Sequence, residues 1–585
     1  MNNFTEEQRA AIDARGKTIV SASAGSGKTT VMIEKIVRLI ISGTDVKEIL
    51  AVTFTKKAAA QMKEKLRKEL IKAINSPETS PAVRAALKKQ LAEVPSADIS
   101  TIHSFCSKLI RSHFFAAGVD SDFSVIAEDD ADGTKLKNDA LDEVFEEAYE
   151  KGEENFLRLL SVYWRKKSDN RLRGILFDTY SALRMRADYR TFLTENAAFT
   201  EEKFNLIVER LFSKLKEKCM YYASRAEREK TYFEDIGREK SKNNAEEVLS
   251  ALSALLSASD YFSACALPCP GFSAKERAKK DDTEEVSSHI AALAEIRDKV
   301  KGIFSENAEV LSREEELAAY LSSGKIAESL TEYLLRFDEK YGELKRERGL
   351  LDYNDLEHIA LELLSVPAVA EEIKQKYRHV FVDEYQDVNP VQERILSAVG
   401  GENVFLVGDI KQSIYGFRGS KSVFFAEKQS RFEAEEDASS LYLTRNFRSA
   451  DAVLEAVNAQ FLLAMTKENS DVDYAGGSFM ERGGRYASDS GRVQIHILSK
   501  EKEKKEQEKR GIYSVEAGYL KERAKASAYA KQIRHIIESE RNARWFDADE
   551  GVFKRVEYSD IAVLSRKKNG RITEVISALS EEGIP

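Results

Sequence analysis

The chain is poor in cysteine, with four residues in 585. That is too few for a disulfide framework, and a reducing cytoplasm is the compartment the composition fits. No apolar run is long enough to span a bilayer, so the expectation is a soluble protein with no membrane partner. The opening residues, MNNFTEEQRA, lack the basic and apolar segments of a secretory leader. Positive charge is not in excess either: the formal net charge is −9. A uniformly basic coat for nucleic acid is thereby excluded, whereas a local basic groove is not. No internal repeat is visible. What is present is a globular composition, 42% hydrophobic and 32% charged, in a chain long enough for roughly three or four domains.

Strand and helix signals alternate from the start. KTIVSAS (17–23) precedes a helix from Thr29, and ILAVTFT (49–55) precedes another from Lys56, which is βαβ patterning. The nearly continuous apolar runs HVFVD and VFLVGD fit a parallel sheet covered on both faces. Residues 125–350 are long, charged and mostly helix-periodic, as expected of an inserted helical domain. Residues 1–124 and 351–440 are then expected to form one α/β domain. The strands LYLTR, RVQIHIL and SDIAVLS suggest a second over 441–585. The run KEKEKKEQEKR (500–510) has both signs and no apolar face, which fits a solvated loop or helix extension.

The strongest chemical signal is ASAGSGKT (22–29), placed between a strand and a helix as a phosphate-binding loop requires. Gly25 and Gly27 let the backbone turn its N–H groups toward phosphate. Lys28 sets a point charge on the β/γ-phosphates, and Thr29 offers a hydroxyl to Mg²⁺. Ala22 stands where the first glycine is usual, and Ser23, Ala24, Ser26 and Thr30 complete the stretch. ATP or another nucleoside triphosphate is implied. Such a loop needs an acid on a second strand, and FVDEYQDVNP (381–390) supplies it. Asp383 would hold Mg²⁺ through water, and Glu384 would polarise the attacking water. Without the phosphate loop, the pair would read as solvated or capping carboxylates.

Tyr385, Gln386 and Asp387 exceed what hydrolysis needs, and DEYQD resembles the superfamily 1 helicases of the UvrD/Rep type. The resemblance runs in order through FTEEQ, ASAGSGKT, TFTKKAAAQM, STIHSFC, LDYNDL, VDEYQDVNPVQ, VGDIKQSIYGFRGS and LTRNFRS. Within that group, ASAGSGKT, DIKQSIYGFRGS and the large insertion are most similar to the AddA-type helicase and nuclease subunits of bacterial double-strand-break enzymes. The fold implied is a pair of RecA-like motor domains with parallel sheets, the first interrupted by the helical insertion.

The resemblance also implies site roles. Gln8 would read adenine, its amide donating to N7 and accepting from N6. Phe447, where many relatives have tyrosine, would stack on the base, and Arg448 would reach the γ-phosphate from the second motor domain. Gln412 would sense the γ-phosphate. Thr53, Phe54, Thr55, Thr101, His103, Ser104, Tyr415, Phe417 and Arg418 would line a single-stranded DNA groove by stacking and backbone contact. Lys56 could add a phosphate contact. The alternating Lys and Glu of 56–70 read as a solvated helix face, and Cys265 and Cys269 lack zinc spacing. Gln386 and Asp387 would tie the nucleotide site to neighbouring motifs.

The function that the resemblance implies is ATP-dependent, 3′ to 5′ movement on single-stranded DNA from duplex ends, beside an AddB-like partner. A stand-alone UvrD-like repair helicase and a nucleotide-switched DNA scaffold are the alternatives. The sequence ends at SEEGIP within what the resemblance makes the second motor domain. The expectation is therefore a fragment whose nuclease part lies elsewhere.

Overall fold

The computed structural model describes residues 4–127, 130–165, 168–279, 281–416 and 419–466, then 470, 474, 478–483, 493, 495, 532, 534, 535, 539, 544–547, 552–564, 571–581, 583 and 584. The chain divides into two compact units, Met1–Leu109 with Ala360–Pro585, and Ile110–Ile359.

The first unit is built on a six-stranded sheet in which every pairing is parallel. Its strands are β1 (Lys17–Ala22), β2 (Ile49–Thr53), β3 (Asp98–Thr101) and, from the later segment of the unit, their neighbours β6, β7 and β8. Those three are His379–Val382, Val404–Gly408 and Ala438–Leu443, and β4 and β5 are the short strands Ser124–Ile126 and Leu350–Asp352 of the second unit. The order is β3-β2-β6-β7-β1-β8. The apolar runs are buried throughout β2, and from the second residue onward in β1, β6 and β7. That is the mark of a sheet covered on both faces. Helices α1 (Glu6–Asp13), α2 (Lys28–Ile41) and α3 (Lys56–Asn75) pack with it, and Thr5 and Thr55 start α1 and α3 by each accepting a backbone N–H. One face of α2, from Val31 to Ile40, packs with Met62, Leu66 and Leu70 of α3 in the core beside β1 and β2.

Two expectations are corrected. LYLTR does not open a separate sheet: β8 runs beside β1 from Lys17 opposite Ala438 to Ala22 opposite Leu443, so the border drawn at residue 441 falls inside it. It is half-exposed because it is the edge strand, with β1 on one side only. SDIAVLS forms a single 3₁₀ turn, Tyr558–Asp560, with residues 561–564 outside any strand. Val563 and Leu564 are exposed there, and no strand among the described residues pairs with them. RVQIHIL and the charged run 500–510 lie almost wholly outside the described residues.

The second unit is helical. One core gathers Leu136, Val144, Phe145, Leu172, Leu176 and Tyr180 around Tyr333, Phe337 and Tyr341 of the 35-residue helix Arg313–Glu347. Another joins the helices Glu201–Asp235, Glu239–Leu256 and Glu284–Asn307. LDYNDL closes this unit: β5 pairs with β4, and the helix Tyr353–Ser365 follows at once. Asp352 accepts from the Asp355 N–H at 2.8 Å, and Asp355 accepts from the Asp352 N–H at 3.0 Å. Both carboxylates meet the buried Lys345 ammonium, at 2.6 and 2.5 Å. Arg184, also buried, takes Asp355 at 2.8 Å and Tyr189 at 2.8 Å, and Asp338 accepts from Tyr180, Tyr189 and Arg190. Burial raises the Asp352 carboxyl, but Lys345 and Arg184 outweigh it and hold the group below the usual range. Asp355 is raised, by burial and by Asp352 beside it.

Candidate functional site

β1 delivers the phosphate loop at its carboxyl end, the edge where parallel sheets place ligands. Ser26 N donates to Ser23 O at 3.2 Å, closing the turn. Gly25 and Gly27 have φ of +70° and +86°, left-handed values at which a side chain is strained. Gly27 immediately precedes α2, so the N–H groups of Lys28, Thr29 and Thr30 are among those without helical partners. Ser26 is buried and its hydroxyl has no hydrogen-bond partner, a need that a phosphate oxygen would satisfy.

β6 presents the acids. Asp383 N donates to Val52 O of β2 at 2.9 Å, and the next residue, Glu384, has φ 54°, the one positive value among described non-glycine residues. Strain of this kind concentrates at functional positions. Here it turns the Glu384 carboxylate to Lys28, Nζ to Oε2 3.0 Å, with Gln386 Nε2 on the same oxygen at 2.8 Å. Burial, then the Glu384 charge, push the Asp383 carboxyl up to about 6, against the pull of Lys28. Asp387 is pushed up to about 6 by the same two causes. The Thr29 hydroxyl and the Asp383 carboxylate are hard oxygen donors of the type Mg²⁺ takes, and a cation would return Asp383 to its ionised form. These residues fit the ion.

Gln386 is 2% exposed and works in two directions. While its amide N–H holds Glu384, its Oε1 accepts from Asp409 N at 2.8 Å. Asp409 in turn receives Gln412 Nε2 at 2.6 Å and Lys411 Nζ at 2.7 Å. Ser413 Oγ donates to Gln386 O at 3.1 Å. The acids after β6 and the turn after β7 are thus one hydrogen-bonded network. Two residues beyond Ser413, the Tyr415 ring lies 4.5 Å from Phe54, tilted by 31°.

Other candidates for DNA contact are placed differently. Thr53 is buried and donates to Thr55 O at 3.1 Å. Thr55 caps α3 by accepting Ala58 N at 3.0 Å. Thr101 is buried, shares a hydroxyl contact of 2.9 Å with Ser104 and accepts Ser104 N at 3.3 Å. The Thr53 and Thr101 hydroxyls are committed to helix starts, because a strand running straight into a helix leaves backbone groups that need partners. His103 is half-buried beside them. Phe417 and Arg418 lie outside the described residues.

RNFR sits on the phosphate loop. Phe447 N donates to Gly25 O at 2.8 Å, and Asn446 Nδ2 donates to Ala24 O at 2.7 Å. Asn446 Oδ1 accepts from Arg448 N and Ser449 N, both at 2.8 Å. Arg448 thus follows the edge strand by five residues, past the short strand Arg445–Asn446, which pairs with Glu481–Arg482 in a sheet of its own. Asn446, 1% exposed, is a residue that sequence reasoning passes over. The signal for it is an amide directly before the aromatic–arginine pair. Gln8 is also more engaged than expected: it is buried, its Oε1 accepts Thr5 N at 3.1 Å, and its Nε2 donates to Ser26 O at 2.9 Å. Its neighbour Glu7 accepts from Thr444 N and Oγ1 at 3.1 and 2.8 Å.

Residues 4–433, which carry the phosphate loop, the acid strand and the glutamine turn, match a known family model, the UvrD/REP helicase N-terminal domain. The chain belongs to the UvrD/REP helicase family. Among curated relatives it is 31% identical to the ATP-dependent helicase/nuclease A-subunit of Alkaliphilus metalliredigens, with 100% of this chain and 49% of that protein covered. It is 30% identical to the protein of the same name from Alkaliphilus oremlandii, again with 100% and 49% covered. The Syntrophomonas wolfei protein of that name is 30% identical, with 100% and 50% covered. The chain spans about half the length of these relatives. No helix among the described residues is long and apolar enough to cross a membrane.

Proposed function

We propose that this chain supplies the nucleotide-driven motor part of an ATP-dependent DNA helicase, within an AddAB-type enzyme that processes double-strand breaks. Its site would bind ATP through the loop 22–30, with Gln8 and Phe447 on adenine and Arg448 on the γ-phosphate. Thr29 and Asp383 would hold Mg²⁺, which supplies charge neutralisation on the phosphates when bound. Glu384 would polarise the attacking water. Phosphate arriving at Lys28 takes the lysine from Glu384, so the base is released as its substrate is seated. Single-stranded DNA would meet Phe54, Tyr415, Phe417 and Arg418, with His103 and the strand-end hydroxyls beside them. Residues after β8 would begin the second motor domain, and 3′ to 5′ movement, duplex ends, an AddB-like partner and a cytoplasmic setting complete the reading.

One observation carries it: the chain of bonds Lys28–Glu384–Gln386–Asp409–Gln412, which runs from the phosphate loop to the turn bearing Tyr415. A hydrolytic site wired to an aromatic turn supports coupling of nucleotide state to DNA. The deciding test is ATP hydrolysis with and without single-stranded DNA, in this chain and in the full-length protein. Glu384→Gln should lower turnover roughly 10²- to 10⁴-fold. DNA binding without any Glu384-dependent hydrolysis would replace the motor by a nucleotide-switched scaffold.

A further inference from the structure

α1 carries Gln8 into the nucleotide site, yet it is a helix of only 8 residues, too short to be stable by its own hydrogen bonds. Its amino end is held by the capping contacts of Thr5 and Gln8 and by Glu7 on Thr444. Its carboxyl end is held by Ala11 and Ile12 in the core and by two side chains of α2, of which the exposed Arg38 donates to Asp13 Oδ1 at 2.7 Å. Lys35, two turns along α2 from Lys28, directs its ammonium at the terminal carbonyls of α1: Ile12 O at 3.0 Å, Ala11 O at 3.4 Å, and Ala14 O as a third acceptor. The same nitrogen stands 5.0 Å from the centre of the Phe405 ring of β7. A cation at a helix carboxyl terminus meets the negative end of the dipole and the carbonyls left without partners. The result is a short helix pinned to α2, the helix that follows the phosphate loop, so Gln8 and the loop move as one piece.

We propose that Lys35 is a positioning residue for base selection, holding α1 so that Gln8 stays in register with the phosphate loop. The inference rests on the adenine reading of Gln8. Lys35 itself touches no nucleotide in this arrangement; it acts through α1. Burial lowers the Lys35 ammonium to about 8, with Asp13 opposing and Arg38 reinforcing the shift. His379 at the start of β6 feels the Lys35 charge, its own group being lowered by burial first, then by Arg378 and least by Lys35, with Glu48 opposing. The grip of Lys35 on the helix dipole therefore weakens above about pH 8, when the ammonium loses its charge.

The test is equilibrium binding of Mg·ATP and Mg·GTP to the wild-type chain, Lys35→Met and Lys35→Arg, with circular dichroism to verify folding. Wild type should prefer ATP. Lys35→Met should lose that preference by roughly tenfold, equivalent to about 1.4 kcal/mol, while Lys35→Arg keeps it. The wild-type ratio should fall above about pH 8, and the Arg variant's should stay level. A folded Lys35→Met chain with an unchanged ATP-to-GTP ratio overturns the proposal and leaves the adenine reading intact. If Lys35→Met does not fold, the pH comparison decides: equal profiles for wild type and Lys35→Arg overturn it. A wild type with no preference for ATP sinks the adenine reading first, and the Lys35 role with it.

Discussion

At the scale of single residues, the nucleotide site depends on positions where a side chain or its absence is dictated by contact. A Cβ on Gly25 would lie 2.7 Å from Arg448 Cβ and 2.9 Å from Asn446 Oδ1. Gly25→Ala should therefore displace RNFR from the loop and add strain of about 1–3 kcal/mol at a positive φ, read as lost nucleotide affinity and a lower Tm. Asn446→Ala removes the donor to Ala24 O and the acceptor for two N–H groups. The expected loss is about 1–3 kcal/mol for the orphaned polar groups, measured by denaturant unfolding, together with weaker nucleotide binding. Gln412→Ala should lower DNA stimulation of hydrolysis more than nucleotide affinity, since its amide ends the chain of bonds on Asp409; equal losses would refute the coupling. The glycine loop between β1 and α2 and the acids after β6 were legible as motifs because particular residues stand there at fixed spacing. Asn446 and Lys35 were not, because an amide or a lysine acquires its role only from the carbonyls that the fold brings to it.

At the scale of elements, the strands Lys17–Ala22, Ile49–Thr53, His379–Val382 and Val404–Gly408 were legible because buried parallel strands leave long apolar runs, whereas Asp98–Thr101 was not read as a strand and the edge strand was read three residues late. LDYNDL was legible as a motif but not as a clasp. Lys345 lies near the end of the helix Arg313–Glu347, and only packing sets its ammonium against Asp352 and Asp355. Lys345→Met should destabilise the helical unit by about 3–5 kcal/mol, because breaking a buried ion pair leaves charge uncompensated; thermal unfolding reads it. His358, buried beside this clasp with Nε2 2.9 Å from Arg184 O, is lowered to about 4 by burial and by the Arg184 charge. Its unfolded form takes up a proton near pH 6.5, whereas the folded form resists. The stability it contributes is present above pH 6.5 and is lost as pH falls toward 4. The Tm of the helical unit should fall across that window, and His358→Phe should flatten the slope.

At the scale of the whole molecule, every described residue of the nucleotide site belongs to the unit Met1–Leu109 with Ala360–Pro585. Calorimetry of this chain should resolve an unfolding step that a non-hydrolysable ATP analogue raises, by about 2.7 kcal/mol at about 100 times Kd, and a second step that it leaves in place. A uniform shift of all unfolding would contradict that division. The sequence by itself determined the family, because its motifs, among them the strand–glycine loop–helix of 17–41 and the acids after His379–Val382, are specific side chains close together in the chain. It also determined that a helical insertion interrupts the sheet, because strand and helix periods differ. Tertiary structure alone decided that LYLTR is the edge of the first sheet and that Gln386 joins Glu384 to Asp409. Strand order, the direction of a short side chain and the partner of a buried amide are set by segments far apart in sequence, and local pattern carries no record of which of them will meet.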